Sequence, residues 1–402
     1  SGCITAFYGP TGNKYGPVTC DVLSSGHTSI RCPTIAGVGS GHKWIVTRES
    51  LTSALSAASV RYTSPVITGF GGTAATQSTC STLGGVTITI TGTSFGPAGH
   101  SDGLQAVYGT DAVADKYSAT SCSVVSQTSI SCNTVAGVGG NLRWTVTVAG
   151  QDSVQSGATI SYALPTMSGL SGDAVSGRST TSGGMEISLS GNFFGPASQT
   201  EVVAQYGPDG TLTKYSAVSC SVVSQTSITC QTVAGVGTSL KWRVGIGGQF
   251  SESLSSPMTS YAVPTITRLG GAAVSASGTT TSGGAEIIIT GTNFGPTGQT
   301  LVSAEYGPDA DPDRYAVSSS SCSVVSQTSM TCNTVAGVGG GLKWSVTIGG
   351  QQSSIFGTGI KYANPVVTSA SVNGAATTID TSGVIGTKVN LGGSNFGPTC
   401  SG

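Results

Sequence analysis

Apolar and polar residues alternate along short runs of the chain, and turns rich in Gly, Pro and Ser bound each run. In "GVTITITGTSF", Val86, Ile88 and Ile90 fall on one side while Thr87, Thr89 and Thr91 fall on the other. In "LRWTVTV", Leu142, Trp144, Val146 and Val148 share a face opposite Arg143, Thr145 and Thr147. A period of two belongs to a β-strand with one face buried and one in water. The pattern predicts an all-β chain of sandwiches with polar outer faces, in which Trp plugs the core and the Lys or Arg before it, such as Lys241 or Lys343, points to solvent. Helical periodicity is absent. The one exception is "LTSALSAASV", where the pattern deviates and the "GGQ" turn that follows Trp242 and Trp344 is missing.

The strands belong to repeats. "AGVG" recurs at Ala36, Ala136, Ala234 and Ala336, and Trp44, Trp144, Trp242 and Trp344 follow in turn. A spacing of about a hundred residues suits one immunoglobulin-sized sandwich, well beyond a solenoid unit. A "Y-x-x-P" linker closes each repeat, in "RYTSPVI", "SYALPTM", "SYAVPTI" and "KYANPVV". Pro holds the preceding residue extended, so the joint is short and stiff, and sandwiches in series predict a rod.

Cysteines are spaced with the repeats: Cys20 with Cys32, Cys122 with Cys132, Cys220 with Cys230, and Cys322 with Cys332. One pair per repeat predicts disulfides and an oxidising, extracellular compartment. Zinc is the competing reading, but it needs two pairs brought together and ordinarily a C-x-x-C spacing. Cys80 has no counterpart in the other repeats; it is either free or bridged to a neighbouring domain or strand.

Sixteen basic and seventeen acidic residues are scattered along the chain, which leaves nucleic-acid binding without an electrostatic footprint. Only 8% of residues are charged, against about 25% in ordinary soluble proteins. Ser, Thr and Gly fill the surface instead. Such a surface predicts a sugar coat or packing against further copies, and with no N-x-S/T sequon any glycan is O-linked. No apolar run is long enough for a membrane span. The chain begins with Ser and has no signal-peptide pattern, so it reads as a mature product or an excerpt.

"GTNFGP", the Cys pair around "VVSQTSI", "AGVG" followed by "LKWSVTIGGQ", and a closing "KYANP" together resemble the IPT/TIG domain. The resemblance covers essentially the whole chain and implies early-set immunoglobulin-like sandwiches. In extracellular proteins such as plexin-like receptors and large surface proteins, tandem copies act as adhesion, ligand-binding or spacer modules. The branch of the family found in transcription factors is not matched, because the Cys pairs and neutral charge balance depart from it. On this fold residues 64–163, 164–262 and 263–363 are complete domains. Residues 1–63 carry the later strands of a domain, and residues 364–402 carry its first strands.

These end pieces fit each other. Three segments from F-G-P to Y-G hold ten, nine and nine residues between Pro and Tyr. Laying Ser401 and Gly402 over Ser1 and Gly2 gives "FGPTCSGCITAFYG", again with nine. The expectation is head-to-tail polymerisation, either as a covalent array or by separate subunits donating terminal strands. Cys400 and Cys3 then stand in a C-x-x-C at the junction between copies.

Catalytic chemistry finds no support, and neither a cofactor nor a metal is expected. His27, His42 and His100 are scattered on loops or strand faces. "GPDADPDRY" alternates Asp309, Asp311 and Asp313 but has Ser320 where a calcium loop needs Glu, so it reads as a solvated turn. "AGVGG" lacks the ending of a phosphate loop and reads as a tight turn. The leading expectation is a structural subunit of an extracellular fibre. An adhesion or receptor ectodomain that binds a protein or carbohydrate is the alternative, and an accessory module of a carbohydrate enzyme is the third reading.

Overall fold

Thr and Ile in alternation cannot both be satisfied on an isolated strand, so each strand lays its Ile and Val face against a second sheet. A computed structural model describes residues 3–23, 27–72, 80–176, 179–197, 199–299, 302–372 and 388–399. Within residues 64–163, one antiparallel sheet runs in the order Thr120–Ser126, Ser129–Asn133, Thr87–Thr93, Val66–Gly71. The second runs Gln151–Asp152, Arg143–Val148, Gln105–Thr110, Val113–Ser118. Both sheets recur, in the same order, in the strands between Thr166 and Phe250 and between Thr265 and Gln352. The protein is all-β and immunoglobulin-like, and the four-residue helix Asp173–Ser176 is the only α-helix among the described residues.

Ile88, Ile90, Ile130, Trp144 and Val146 are wholly buried between the sheets. The Trp144 ring stacks on Tyr108 with centroids 4.1 Å apart, and Tyr206–Trp242 and Tyr306–Trp344 repeat that stack at the same distance. Disulfides join Cys20 to Cys32, Cys122 to Cys132, Cys220 to Cys230 and Cys322 to Cys332, each across the hairpin at one edge. The basic residues beside the Trp lie at the rim, where Lys241 meets Asp209 and Lys343 meets Asp309, each at 2.6 Å. Asp311 pairs with Arg314 while Asp309 is held by Lys343, so these two aspartates form separate ion pairs.

The deviant stretch after Trp44 holds no helix. Leu51–Thr52 is a two-residue strand paired with Thr47 and Arg48, and the residues beyond it are irregular. His42 lies in an antiparallel bridge with Val60, with its side chain on the inward face. It occupies the position of Leu142, Leu240 and Leu342, it is 1% exposed, and its ring lies against Tyr8, Tyr15 and Tyr62 with both nitrogens unpartnered. His27 is exposed.

Residues 3–63 depart from the two-sheet plan. They form one five-stranded sheet in the order Ile30–Arg31, Tyr15–Val22, Ile4–Gly9, Lys43–Arg48, Leu51–Thr52. Tyr15–Val22 runs unbroken where the complete sandwiches cross from one sheet to the other. Val366–Val372 and Val389–Ser394 make a separate two-stranded sheet.

Candidate assembly site

Two surfaces are left half built. In residues 3–63, Trp44 and Val46 are only half-buried, whereas Trp144 and Val146 are inaccessible. With Ile30 and Cys32 they line an open cavity of about 310 Å³. In complete sandwiches that space is filled by the second strand, where Cys132 stands opposite Ile88 and Ile130 opposite Ile90. No described strand pairs with Ile30–Arg31 on that side, so its edge is open.

The two-stranded sheet has the reverse shape. Val389, Leu391 and Phe396 are 38%, 54% and 49% exposed, while Ile287, Ile289 and Phe294 at the same repeat positions are all at 0%. Val367 is also exposed. The hairpin register, Val366 opposite Ser394 and Ala370 opposite Leu391, matches that of Thr265 with Thr292 and Leu269 with Ile289. It therefore presents an apolar face of the shape that the open sandwich lacks. Cys3 is exposed and unbonded, and Cys400, Ser401 and Gly402 lie outside the described residues. Cys80 is free and buried; burial pushes its thiol pKa up, and its sulfur lies 3.7 Å from Thr134 Oγ1.

Successive sandwiches are joined by a repeated set of contacts that the sequence reading missed. Tyr117 accepts from Val138 N–H at 3.0 Å and donates to its carbonyl at 2.8 Å, while Tyr162 donates to the Val135 carbonyl at 2.6 Å. These bonds hold the "AGVG" loop rigid. Gly137 is required there because a Cβ would strike both tyrosine rings. Val138, so held, enters the core of the following sandwich beside Phe194 and is 2% exposed. A Cβ at Gly195 would collide with it. Val38 and Val236 enter the next core in the same way. What was read as a tight turn is thus also a plug, and the signal for it was an apolar residue kept within a glycine loop.

Polar bridges fix the angle of each joint. Gln151, Gln249 and Gln351 donate from Nε2 to the carbonyls of Tyr62, Tyr162 and Tyr261 at 3.0, 3.2 and 3.0 Å. Gln225 bonds Thr82, and Gln327 bonds Thr181, each through both amide atoms, accepting from the hydroxyl and donating to the carbonyl. Lys14 meets Asp102 and Lys116 meets Glu201, each at 2.9 Å. The bond to Asp102 raises the Lys14 pKa, and the same bond lowers that of Asp102.

The family model of the IPT/TIG domain matches residues 72–162 and 272–362. Residues 72–162 and 272–362 are IPT/TIG domains. Among solved structures, the chain is similar to the extracellular region of plexin A4, at 14% identity over 100% of this chain and 37% of that one, with a TM-score of 0.23. The surface glycan-binding protein SGBP-B from Prevotella bryantii is similar at 13% identity over 48% of this chain and 41% of that one, with a TM-score of 0.31. Invasin, a bacterial integrin-binding protein, is similar at 11% identity over 92% of this chain and 74% of that one, with a TM-score of 0.21. The chain spans less than half the length of the first two. A comparison with curated protein sequences finds no match. Among the described residues, no three or more His, Cys, Asp or Glu side chains gather where they could hold a metal ion, and no helix is long and apolar enough to cross a membrane.

Proposed function

We propose that this IPT/TIG protein is a structural repeat unit of an extracellular filament or surface fibre, joined head to tail by completing a split domain. Residues 64–163, 164–262 and 263–363 are its complete domains. Residues 364–402 of one unit supply the first strands for residues 1–63 of the next, in the same polypeptide or in a separate subunit. The observation that carries this reading is the match between the exposed face of Val389, Leu391 and Phe396 and the open groove over Trp44 and Val46. Burying Val367, Val389, Leu391 and Phe396 from their half-exposed state stabilises the contact by about 4 kcal/mol, and the groove side contributes about as much again. Strand pairing along Ile30–Cys32 adds direction and register. Because donor and acceptor lie at opposite ends of the unit, the contact is heterologous and propagates as a fibre.

Four disulfides suit a secreted or surface protein. The charge-poor exterior fits lateral packing or O-linked glycans. On this reading the work of the molecule is mechanical, with load passing through sandwich cores and plugged joints. The test is sedimentation and electron microscopy of the chain as its concentration rises. Filaments are expected for the wild type, and single particles for Leu391→Asp. A wild type that stays single at every concentration overturns the proposal, as does a Leu391→Asp chain that assembles normally.

A further inference from the structure

The internal joints give a template for the one that head-to-tail assembly would create. At each internal joint the turn between the two last strands of the following sandwich docks on the preceding "AGVG" loop. The register aligns these turns residue for residue: Val148 pairs with Gln151, Ile246 with Gln249, Ile348 with Gln351, and Arg48 with Leu51. The first turn residue is Ala149, Gly247, Gly349 or Glu49, with φ of 48°, 55°, 58° and 57°. A left-handed backbone suits Gly and costs Glu about 1 kcal/mol or more, so Glu49 stands where its own turn does not favour it.

The seat for such a turn is present and empty beside residues 338–365. Val338, Gly339, Lys361, Tyr362, Asn364 and Phe396 are among the residues that line a cavity of about 500 Å³. In the joint after residue 163, the equivalent seat holds Gly247 against Gly139, with Gln249 beside Gly140 close to Ser161. The residue at the Ser161 position is Arg61, Ser161, Ser260 or Lys361 in the four repeats. The residue that bridges to the tyrosine carbonyl is Gln151, Gln249, Gln351 or Leu51. Leu51 has no amide to donate and is 78% exposed. Of the four seats, only that of Lys361 would meet an acidic turn, and only the Glu49 turn lacks the glutamine.

Resting on the split-domain reading above, we infer that the turn Glu49–Leu51 of a second copy docks in the cavity beside Lys361. There a Glu49–Lys361 ion pair replaces the glutamine bridge and marks the joint between copies. Following Gly247 against Gly139 and Val138, and Gln249 beside Gly140, Glu49 lies over Gly339 and Val338 while Leu51 lies beside Gly340. The exchange gives this joint a charge code that the internal joints lack. It favours the end-to-end partner over misjoining at internal repeats, because rim charges act mainly on partner choice and association rate.

The experiment is sedimentation velocity at low ionic strength on the full chain carrying Glu49→Lys, Lys361→Glu, or both, with Leu391→Asp as a separate control. Each single reversal exchanges an attraction for a repulsion, so association is expected to weaken about tenfold, and the double reversal to return within about threefold of wild type. The differences should vanish in molar salt. Equal association of all four chains, with Leu391→Asp still blocking assembly, overturns the ion pair and leaves the split domain standing. A wild type that does not associate overturns both.

Discussion

Val236 belongs by sequence to one sandwich but is buried in the core of the next, so replacing it separates chain order from mechanical order. Val236→Ala removes two methyl groups from a site 2% exposed beside Phe294. At about 0.8 kcal/mol for each group, the lost transfer energy is about 1.6 kcal/mol, and the remaining cavity brings the total to about 2 kcal/mol. The backbone bonds from Tyr215 to Val236, 2.7 and 3.0 Å long, do not depend on the side chain, so the loop keeps its shape. Native-state hydrogen exchange reads each sandwich separately. The core amides of Glu286–Thr292 should exchange about thirtyfold faster, while those of Glu186–Asn192 should stay within a factor of about two. Equal acceleration in both strands, or acceleration confined to Glu186–Asn192, would refute the plug.

Other perturbations give distinct readouts. Replacing Cys122 and Cys132 by Ala opens a loop with a sequence separation of 10 residues; it should lower the stability of that sandwich by about 3 kcal/mol in a urea titration, and no change would deny the bridge a stabilising role. Burial pushes the Tyr108 hydroxyl to about 12, above the ordinary value near 10 of an unfolded chain. Folding stability should therefore hold below pH about 10 and fall by about 2 to 3 kcal/mol between pH about 10 and 12, as the unfolded chain alone releases the proton; phenolate absorbance and circular dichroism followed together check this. His42→Leu restores the residue type of the other repeats and removes two buried, unpartnered nitrogens, so the strand Lys43–Arg48 should gain about 1 to 3 kcal/mol of protection against exchange. A loss there would mean that the imidazole has a partner.

Strand identity and sandwich class were legible in the sequence because Val86, Ile88 and Ile90 alternate with Thr, and a period of two has one structural meaning when a second face must be covered. The position of each Trp followed from the same alternation. The joints were not legible. Gln249 and Gln225 look like ordinary surface glutamines until the chain is folded, because their partners, Tyr162 and Thr82, lie 87 and 143 residues away. Val138 sits in a glycine loop whose spacing predicts only a turn; its burial depends on a core supplied by another repeat. The burial of His42 on its strand face was not legible because a lone histidine carries no period of its own, and comparison with Leu142, Leu240 and Leu342 was the signal that could have shown it. The expectation of a split domain rests on motif order, while the exposed side chains that bear on it, Leu391 and Phe396 at one end and Trp44 at the other, came from the structure.

The central claim, that the hairpin at Val389–Ser394 completes the sandwich of residues 3–63 in the next unit, is tested most directly by cross-linking in register. Ser131 stands opposite Thr89 in the complete sandwich, and the equivalent outward-facing pair across the junction is Arg31 with Asn390. With Cys3 and Cys400 replaced by Ser, a chain carrying Arg31→Cys and Asn390→Cys should form a head-to-tail ladder of disulfide-linked chains under mild oxidation. Pairing Arg31→Cys with Lys388→Cys, two residues out of register, should form none. A ladder of equal yield from both pairs, or single chains from both, would contradict the account.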